Sequence, residues 1–301
     1  MRLVTYRGPA GQRIGVERQD GVVDLRAALE ARLAASGHAD PAAEAAWRVP
    51  EDMTALLTRA GGDLAGLRQA AEAADTAQDP AGLRLLAPVP RPGKVIGVGR
   101  NYGAHQSEGN LERQEEPRLF AKFTSSVIGP GQAIVRPDRI RQLDWEVELA
   151  IVVGRRMKNV AEADALDHVA GYTIVNDVSA REFQFDVKPP QTTFAKSHDT
   201  FTPMGPVLVT ADEFGSPTDV DVACRVNGDL MQEGNTSDLI FSCAYILSYI
   251  SRFATLEPGD VIATGTPSGV GHFRDPPVYL KPGDTVACTV ARIGTLENPV
   301  A

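Results

Sequence analysis

The sequence has little cysteine, no long apolar run and no apolar leader. Its three cysteines among 301 residues lie far apart and form no CxxC pair. That spacing excludes a disulfide framework and a cysteine zinc site, and it is typical of a reducing compartment. No apolar run approaches the ~18 residues that a membrane span needs, and the first residues lack the apolar segment of a secretory signal. We therefore expect a soluble, cytoplasmic protein.

Basic residues are also in short supply. The chain has 30 lysines and arginines against 39 aspartates and glutamates, a net charge of −9. An anionic chain repels phosphate backbones and anionic membrane surfaces. The densest basic stretch, residues 136–141, runs directly into three acidic residues. The charge pattern therefore predicts no nucleic-acid partner and no membrane partner.

The apolar fraction of 43% and the charged fraction of 23% are those of a globular chain. The first 25 residues alternate like strands, and alanine and leucine then recur at helical spacing up to about residue 75. Three prolines within residues 88–92 cannot continue a helix or a central strand. These features predict an α+β fold with a small amino-terminal α+β domain, residues 1–88, and a larger domain, residues 89–301.

Strand patterns dominate the larger domain, at residues 94–98, 146–153, 169–175, 206–209, 220–226, 260–264 and 284–290. One helix is predicted from Ser237 to Phe253. Its apolar residues keep a spacing of three and four, and Ser237 with Asp238 provides an N-cap.

The first candidate site is the acidic segment 144–149. Side chains alternate along a strand, so Glu146 and Glu148 point the same way, and Asp144 joins that row. Carboxylates on one face repel each other unless a cation or protons neutralise them. A solvated strand face is the alternative, but the apolar run that follows indicates a buried strand. Oxygen ligands favour Mg²⁺, Mn²⁺ or Ca²⁺ over zinc.

A further carboxylate, Asp177, follows an apolar strand. It either caps the next helix or completes the carboxylate set. Arg181 and Gln184 stand four and seven residues later, which places them on the face of Asp177 if a helix begins there. An arginine beside a metal site suits a substrate carboxylate, because its guanidinium binds two oxygens.

His105 and Glu108 are three residues apart and meet if their segment forms one helical turn. A carboxylate that orients an imidazole raises its basicity, as a general base for water requires. A surface ion pair is the alternative. Lys196 lies among apolar and hydroxyl residues, and the segment Gly265–Gly271 offers backbone N–H groups and the Thr266 hydroxyl to an anion.

Together these segments resemble the fumarylacetoacetate hydrolase family. The resemblance runs from about residue 91 to residue 290 and keeps the family's order of motifs: N-Y-x-x-H-x-x-E (101–108), a lysine-containing strand (120–122), D-x-E-x-E-L (144–149), G-Y-x-x-x-N-D-x-S-A-R-x-x-Q (171–184), K-S-x-D-T-F (196–201), V-N-G (226–228) and G-T-P-x-G-V-G (265–271). The branch that it resembles contains acylpyruvases and 2-hydroxyhepta-2,4-diene-1,7-dioate isomerases.

The resemblance implies a mixed β-roll fold, a homodimer and a divalent cation, usually Mg²⁺. It places the cation on Glu146, Glu148 and Asp177. It implies catalytic roles for His105, Glu108 and Lys196, and substrate-binding roles for Arg181, Gln184, Tyr102, Lys122 and Thr266. Phe123 and His198 depart from the residues common at their positions, and we expect both to lie near the substrate.

The family's substrates are 2-oxo acids with a second carbonyl or a double bond nearby. A cation chelated by the 2-oxo acid would stabilise an enolate, the charge that C–C cleavage, decarboxylation and tautomerisation all develop. Because His105 and Glu108 are both present, the sequence favours hydrolysis of an acylpyruvate-type 2,4-diketo acid. The alternative is an isomerase or decarboxylase of an unsaturated 2-oxo or 2-hydroxy dioate from aromatic breakdown, or an oxaloacetate decarboxylase. A binding protein without catalysis is a third reading, and the intact ligand positions count against it.

Overall fold

The computed structural model describes residues 1–9, 11–75, 77–79, 82–103 and 114–301. The chain begins with an antiparallel meander and four helices: β1 (Arg2–Gly8), β2 (Gly11–Arg18), β3 (Gly21–Asp24), α1 (Leu25–Ala35), α2 (Pro41–Arg48), α3 (Met53–Ala60) and α4 (Ala65–Glu72). The Asp24 carboxylate caps α1 by accepting from the Ala27 N–H. Gly61, in the left-handed region, ends α3. The predicted amino-terminal α+β segment is confirmed.

The remaining elements are mostly strands: β4 (Arg84–Leu86), β5 (Val95–Gly99), β6 (Arg118–Lys122), β7 (Val127–Ile128), β8 (Leu143–Asp144), β9 (Val147–Val153), β10 (Val169–Asn176), β11 (Ser179–Ala180), α5 (Thr192–Ala195), β12 (Thr202–Thr210), α6 (Ala211–Phe214), β13 (Asp221–Val226), β14 (Asp229–Asn235), α7 (Cys243–Phe253), β15 (Val261–Ala263), β16 (Thr285–Val290) and β17 (Gly294–Pro299). Within the described ranges, no helix is long and apolar enough to cross a membrane.

One mixed sheet organises the molecule. Its strand order is β3-β2-β1-β12-β10-β9-β15-β5-β6, with β4 on β1 and β7 on β12. The strands pair antiparallel except for the parallel pairs β15–β5 and β12–β7. A second sheet has the order β14-β13-β16-β17. The predicted mixed fold is confirmed.

The central strand β9 separates two cores because its side chains alternate. Leu149, Ile151 and Val153 pack in the core that includes the second sheet. Ala150 and Val152 pack in the core that includes the amino-terminal helices. Every residue of β9 and β10 is buried, so the polar groups at the ends of these strands lie deep in the molecule.

The first 88 residues extend the same sheet. Leu3 of β1 pairs with Leu208 of β12, and β4 pairs with β1 on the way to the proline-rich segment. The boundary at residues 88–89 stays a prediction.

The predicted helix start at Ser237 is wrong. The helix α7 begins at Cys243, with Ser242 as its N-cap, and residues 236–238 form a separate 3-10 turn. The Asn101 side chain accepts from the N–H of Phe241 and donates to its carbonyl. Asn101 therefore takes the backbone groups that a longer helix would need.

Candidate active site

Three carboxylates meet where β9 begins and β10 ends. Glu148 lies opposite Val175 in the antiparallel register, and the Asp177 N–H donates to the Glu146 carbonyl over 2.8 Å. One oxygen from each of Glu146, Glu148 and Asp177 lies within 4.8 Å of the others, and all three residues are buried. The structure thus brings together the three residues that the sequence predicted as metal ligands.

Two buried lysines hold the Asp177 carboxylate from opposite sides. Lys196 Nζ donates to Glu146 Oε2 at 2.8 Å, Asp177 Oδ2 at 2.6 Å and Ser179 Oγ at 2.8 Å. Lys122 Nζ donates to Asp177 Oδ1 and to two backbone carbonyls, those of residues 196 and 201. Each ammonium therefore gives its three hydrogens to protein oxygens.

The two lysines differ in their pKa. Burial disfavours the charged form of both ammonium groups. For Lys196 the carboxylates of Asp177 and Glu146 outweigh burial and raise the pKa above its ordinary value. For Lys122 burial dominates and the pKa falls, since the attraction of Asp177 and Glu146 does not outweigh burial and the Lys196 charge opposes that of Lys122.

Arg181 neutralises the acidic row from the cavity side. Its Nε donates to Asp144 Oδ2 at 2.8 Å, and its Nη1 lies 2.7 Å from both Glu146 Oε1 and Gln184 Oε1. Burial opposes the charge of Arg181, but Asp144 and Glu146 raise its pKa above the ordinary arginine value. Arg181 Nη2 is buried and has no hydrogen-bond partner among the described residues, so one donor remains for a ligand.

Glu148 is the least compensated of the three carboxylates. Burial, followed by the charges of Asp177 and Glu146, raises its pKa well above 4.5. Its Oε2 accepts from the Gly265 N–H at 2.7 Å. Gly265 has φ +110°, and a Cβ there would lie 2.8 Å from the Cβ of Asn101, so this close backbone donor needs a glycine.

A cavity of about 170 Å³ opens above these groups. Its walls are formed by Val98, Gly99, Arg100, Arg118, Phe120, Glu146, Glu148, Arg181, Gln184, Phe185, Pro190, Thr192, Lys196, Thr266 and Phe273. A cavity this small suits a compact metabolite rather than a drug-sized ligand.

Six predicted site residues line this cavity: Glu146, Glu148, Arg181, Gln184, Lys196 and Thr266. Asp177 lies directly beneath, against Lys196. The Thr266 hydroxyl donates to the Val147 carbonyl and accepts from Gln232 Nε2. Its hydrogen is therefore already used, and toward a ligand the hydroxyl can only accept.

Two predicted substrate ligands do not reach the cavity. Lys122 donates its three hydrogens to Asp177 and to two backbone carbonyls beneath the cavity floor (Glu146, Glu148, Asp177 and Lys196), which suits a positioning role for Asp177, and its role in substrate binding stays a prediction. Only 1% of Tyr102 is exposed and it does not line the cavity, and its role in substrate binding likewise stays a prediction. Burial and then the Glu148 charge raise the pKa of the Tyr102 hydroxyl, which has no hydrogen-bond partner among the described residues.

The local structure that brings Arg181 to the site also differs from the expectation. No helix begins at Asp177; the short strand β11 follows it and pairs with β8, and a single π-helical turn covers Glu182–Asp186. Arg181 directly precedes this turn and donates to Gln184 in its middle, so the two residues meet without the helix face that the sequence predicted.

Phe123 and His198, which we expected near the substrate, lie outside the cavity lining, and that expectation stays a prediction. The Phe123 side chain is half exposed just after β6. His198 packs against the rings of Phe183, Phe194 and Phe201. Burial lowers the pKa of His198. Neither residue lines the cavity.

The predicted general base His105 and its orienting carboxylate Glu108 lie outside the described residues. Their roles stay predictions.

Three residues that shape the site, Gln232, Arg118 and Phe120, were not predicted from the sequence. Gln232 holds Thr266, and its Oε1 accepts from the Val147 N–H. Arg118 and Phe120 lie on the cavity face of β6, four and two residues before Lys122. The alternation of strand side chains could have placed both on the same face as Lys122.

The fold and these side chains define a small-molecule enzyme whose buried oxygen ligands suit a divalent cation. A family model, fumarylacetoacetate (FAA) hydrolase C-terminal, matches residues 94–301. The chain belongs to this family.

Relatives and solved structures carry several activities. The oxaloacetate tautomerase fahd2, mitochondrial, of Xenopus laevis is 41% identical over 304 residues, which cover 100% of this chain and 90% of the relative. Maleylpyruvate hydrolase from Sphingobium sp. SYK-6, solved in complex with manganese(II) ion and pyruvate, is 34% identical with a TM-score of 0.77 and covers 100% of this chain and 99% of that chain. The 2-hydroxyhepta-2,4-diene-1,7-dioate isomerase from Mycobacterium marinum is 32% identical with a TM-score of 0.73, covering 100% of this chain and 98% of that chain. The predicted branch of the family is thereby confirmed.

Proposed function

We propose that this protein catalyses the keto–enol tautomerisation of a 2-oxo acid with the help of a divalent cation, Mg²⁺ or Mn²⁺. The observation that carries the proposal is the floor of the cavity, where three carboxylates and Lys196 lie together within ligand reach. The similarity to an oxaloacetate tautomerase over the whole chain supports the same reaction.

The residues fit the cation. Glu146, Glu148 and Asp177 offer oxygen donors only, as hard divalent cations prefer. Burial, followed by the charges of Asp177 and Glu146, raises the pKa of Glu148, and a bound cation would favour its ionised form. When bound, a divalent cation supplies Lewis-acid stabilisation of the negative charge that develops on the 2-oxo oxygen.

Arg181 is proposed to orient the substrate. Arg181 lines the cavity beside its ion-pair partner Glu146 and beside Gln184, and its Nη2 has no hydrogen-bond partner among the described residues. A guanidinium fixed by two carboxylates loses little freedom when it binds a third carboxylate, so it holds the substrate's C1 carboxylate in one orientation.

Lys196 is proposed to move the proton. In the enol-to-keto direction the Lys196 ammonium donates a proton to C3, the proton of the enol O–H is released to solvent, and solvent reprotonates Lys196, so atoms and electrons balance. Lys196 Nζ lies at the cavity floor, and its charge is maintained by Asp177 and Glu146. A positioned acid–base group of this kind accelerates proton transfer by ~10²–10⁴-fold.

The test is the conversion of enol to keto oxaloacetate, followed by the loss of ultraviolet absorbance. We expect acceleration with Mg²⁺ or Mn²⁺, loss of acceleration after chelation, and recovery when either ion is returned. The release of pyruvate in the same samples measures decarboxylation. No acceleration by the metal-loaded protein would contradict the proposal, and pyruvate release without faster tautomerisation would favour the decarboxylase.

Hydrolysis of an acylpyruvate is the second candidate. The maleylpyruvate hydrolase structure with manganese and pyruvate favours it, and the sequence supplies the predicted water-activating pair His105 and Glu108. It ranks second because the described residues contain the groups for enolate formation, whereas hydrolysis depends on that pair. Cleavage of an acylpyruvate by the parent protein, abolished in His105→Ala with metal binding intact, would reverse the order.

We further propose that the protein is a homodimer, as the family resemblance implies. An aromatic row along α7 and the segment before it is available to a second copy. Phe241, Tyr245 and Tyr249 stack in succession, Tyr249 meets Phe253 edge-on, and Phe253 is 73% exposed. Sedimentation equilibrium at a concentration-independent mass of 32.2 kDa would contradict the dimer.

A further inference from the structure

Two arginines lie at one wall of the cavity, apart from the carboxylate floor. Arg100 directly follows β5, and Arg118 is the first residue of β6. The two strands pair so that Gly99 lies opposite Arg118, which makes the arginines neighbours across the end of the ladder. Both side chains line the cavity.

The backbone aims each side chain at the cavity. Arg100 has φ +61°, in the left-handed region, so the chain turns sharply where β5 ends. Along β6, Arg118 and Phe120 share one face. The Phe120 ring lies across Gly97, where a Cβ would come within 2.1 Å of it, and its centre is 5.1 Å from Lys196 Nζ. A continuous wall therefore leads from Arg118 past Phe120 to the floor.

The two arginines repel each other and lack an acidic partner. Burial, followed by the charge of Arg118, lowers the pKa of Arg100. Among the described residues, no carboxylate forms an ion pair with either arginine, in contrast to Arg181, which has two. Two cations at a cavity wall are stabilised by an anion that bridges them.

The charges of the floor balance once a divalent cation and one substrate carboxylate are bound there. Asp144, Glu146, Glu148 and Asp177 face Lys122, Arg181 and Lys196, so the cluster has one negative charge in excess. A divalent cation and one substrate carboxylate would bring that cluster to neutrality. The charges of Arg100 and Arg118 then remain uncompensated, which leaves room for a second carboxylate.

We propose that Arg100 and Arg118 form a subsite for the distal carboxylate of a 2-oxo dioate, whose C1 carboxylate and 2-oxo group lie at the floor. This inference rests on the proposed function and assigns its specificity. The arginines make the cavity select a dianion over a monoanion of the same length.

The test compares two stable 2-hydroxy acids by calorimetry with the Mn²⁺-loaded protein. Malate carries the distal carboxylate, and 2-hydroxybutanoate carries a methyl group in its place. The variants are Arg100→Met and Arg118→Met, which keep an unbranched apolar stem, and the matched control is Arg84→Met, an exposed strand arginine in β4 outside the cavity. Every variant is measured at one free Mn²⁺ concentration, so metal chelation by the acids cancels in the comparison.

We expect the parent protein to prefer malate. Arg100→Met lowers the malate affinity by about tenfold, the usual scale for a hydrogen bond to a charged group. Arg118→Met lowers it by about threefold, because its more exposed charge is screened by solvent. The affinity for 2-hydroxybutanoate stays within about twofold, and Arg84→Met changes neither acid.

Three outcomes would overturn the subsite. They are an equal loss for both acids, an equal loss in Arg84→Met, or binding of inorganic phosphate with the same dependence on Arg100 and Arg118. Because these acids do not tautomerise, the binding result is independent of turnover. A protein that prefers malate but does not accelerate tautomerisation would refute the proposed function and leave the subsite standing.

Discussion

The floor and the wall of the cavity satisfy their charges in opposite ways. At the floor, each lysine gives all its hydrogens to protein oxygens, and the two lysines and Arg181 bind carboxylates. At the wall, Arg100 and Arg118 lie side by side without a carboxylate partner among the described residues. Buried charge is tolerated at the floor because it is paired and hydrogen-bonded.

This difference separates chemistry from specificity. A network whose members hold one another is rigid, so it fixes the positions of the ligand oxygens and of Lys196. An uncompensated pair of cations imposes no such geometry but favours one class of anion. Variants of the floor should therefore change metal binding and rate, and variants of the wall should change which substrate binds.

The largest expected effect is on Lys196. Lys196→Met should slow the metal-dependent conversion of enol to keto oxaloacetate by ~100-fold or more, because a positioned proton carrier is lost. The same variant should bind Mn²⁺ at least as tightly as the parent, since the ammonium no longer competes for Glu146 and Asp177. The tautomerisation assay and calorimetry measure the two effects.

Lys281→Met, at an exposed position, is the matched control and should change neither quantity. If Lys196→Met lowers the Mn²⁺ affinity by the same factor as the tautomerisation rate, then Lys196 organises the metal ligands and does not move a proton. The division between floor and wall would then hold, but the proton would travel through another group.

The floor could be predicted from the sequence because its residue types restrict the chemistry. Alternation along β9 places Glu146 and Glu148 on one side, and Asp177 ends the neighbouring strand. The sequence did not indicate which carboxylate each lysine or Arg181 would bind. Whether Lys122 touches substrate or Asp177 depends on how deep β6 lies, and that depth is a property of the packed sheet.

The sequence did not predict the cavity wall or the start of α7, and the reason is related. The left-handed backbone of Arg100 is set by the turn after β5, and arginine itself gives no sign of it. The start of α7 is fixed by Asn101, 140 residues earlier in the chain, which binds the backbone of Phe241. Local patterns predict elements, whereas long-range hydrogen bonds decide where those elements begin.

A smaller effect is expected for Glu148→Gln, which tests the floor without touching Lys196. One formal negative charge is removed from the ligand set, and the loss of an outer partner alone typically costs ~10–100-fold in metal affinity. We expect a loss of at least that size by calorimetry with Mn²⁺. Arg118→Met at the wall is the matched comparison and should bind Mn²⁺ like the parent. Unchanged affinity in Glu148→Gln would remove Glu148 from the ligands.

The smallest expected effect is a pH dependence of stability in the metal-free protein. Burial and the neighbouring carboxylates raise the pKa of Glu148 above 4.5, so the folded protein keeps a proton that the unfolded chain releases. The stabilisation is complete below 4.5 and is lost as the pH rises from 4.5 through the raised pKa. Each kcal/mol lost lowers Tm by roughly 2–4 °C in proteins of about 150–250 residues, and by less in a longer chain such as this one. Thermal unfolding in a chelator should show this fall with rising pH, and Glu148→Gln should reduce it, because an amide does not titrate.

Mn²⁺ should oppose the fall, since the cation replaces the proton and binds better as the carboxylates ionise. Arg100→Met should keep the slope of the parent, because the wall does not contact Glu148. If the Tm of the parent protein in chelator does not change over this pH range, the lysines of the floor neutralise Glu148. The contrast in charge between floor and wall would then be larger than the structure indicates.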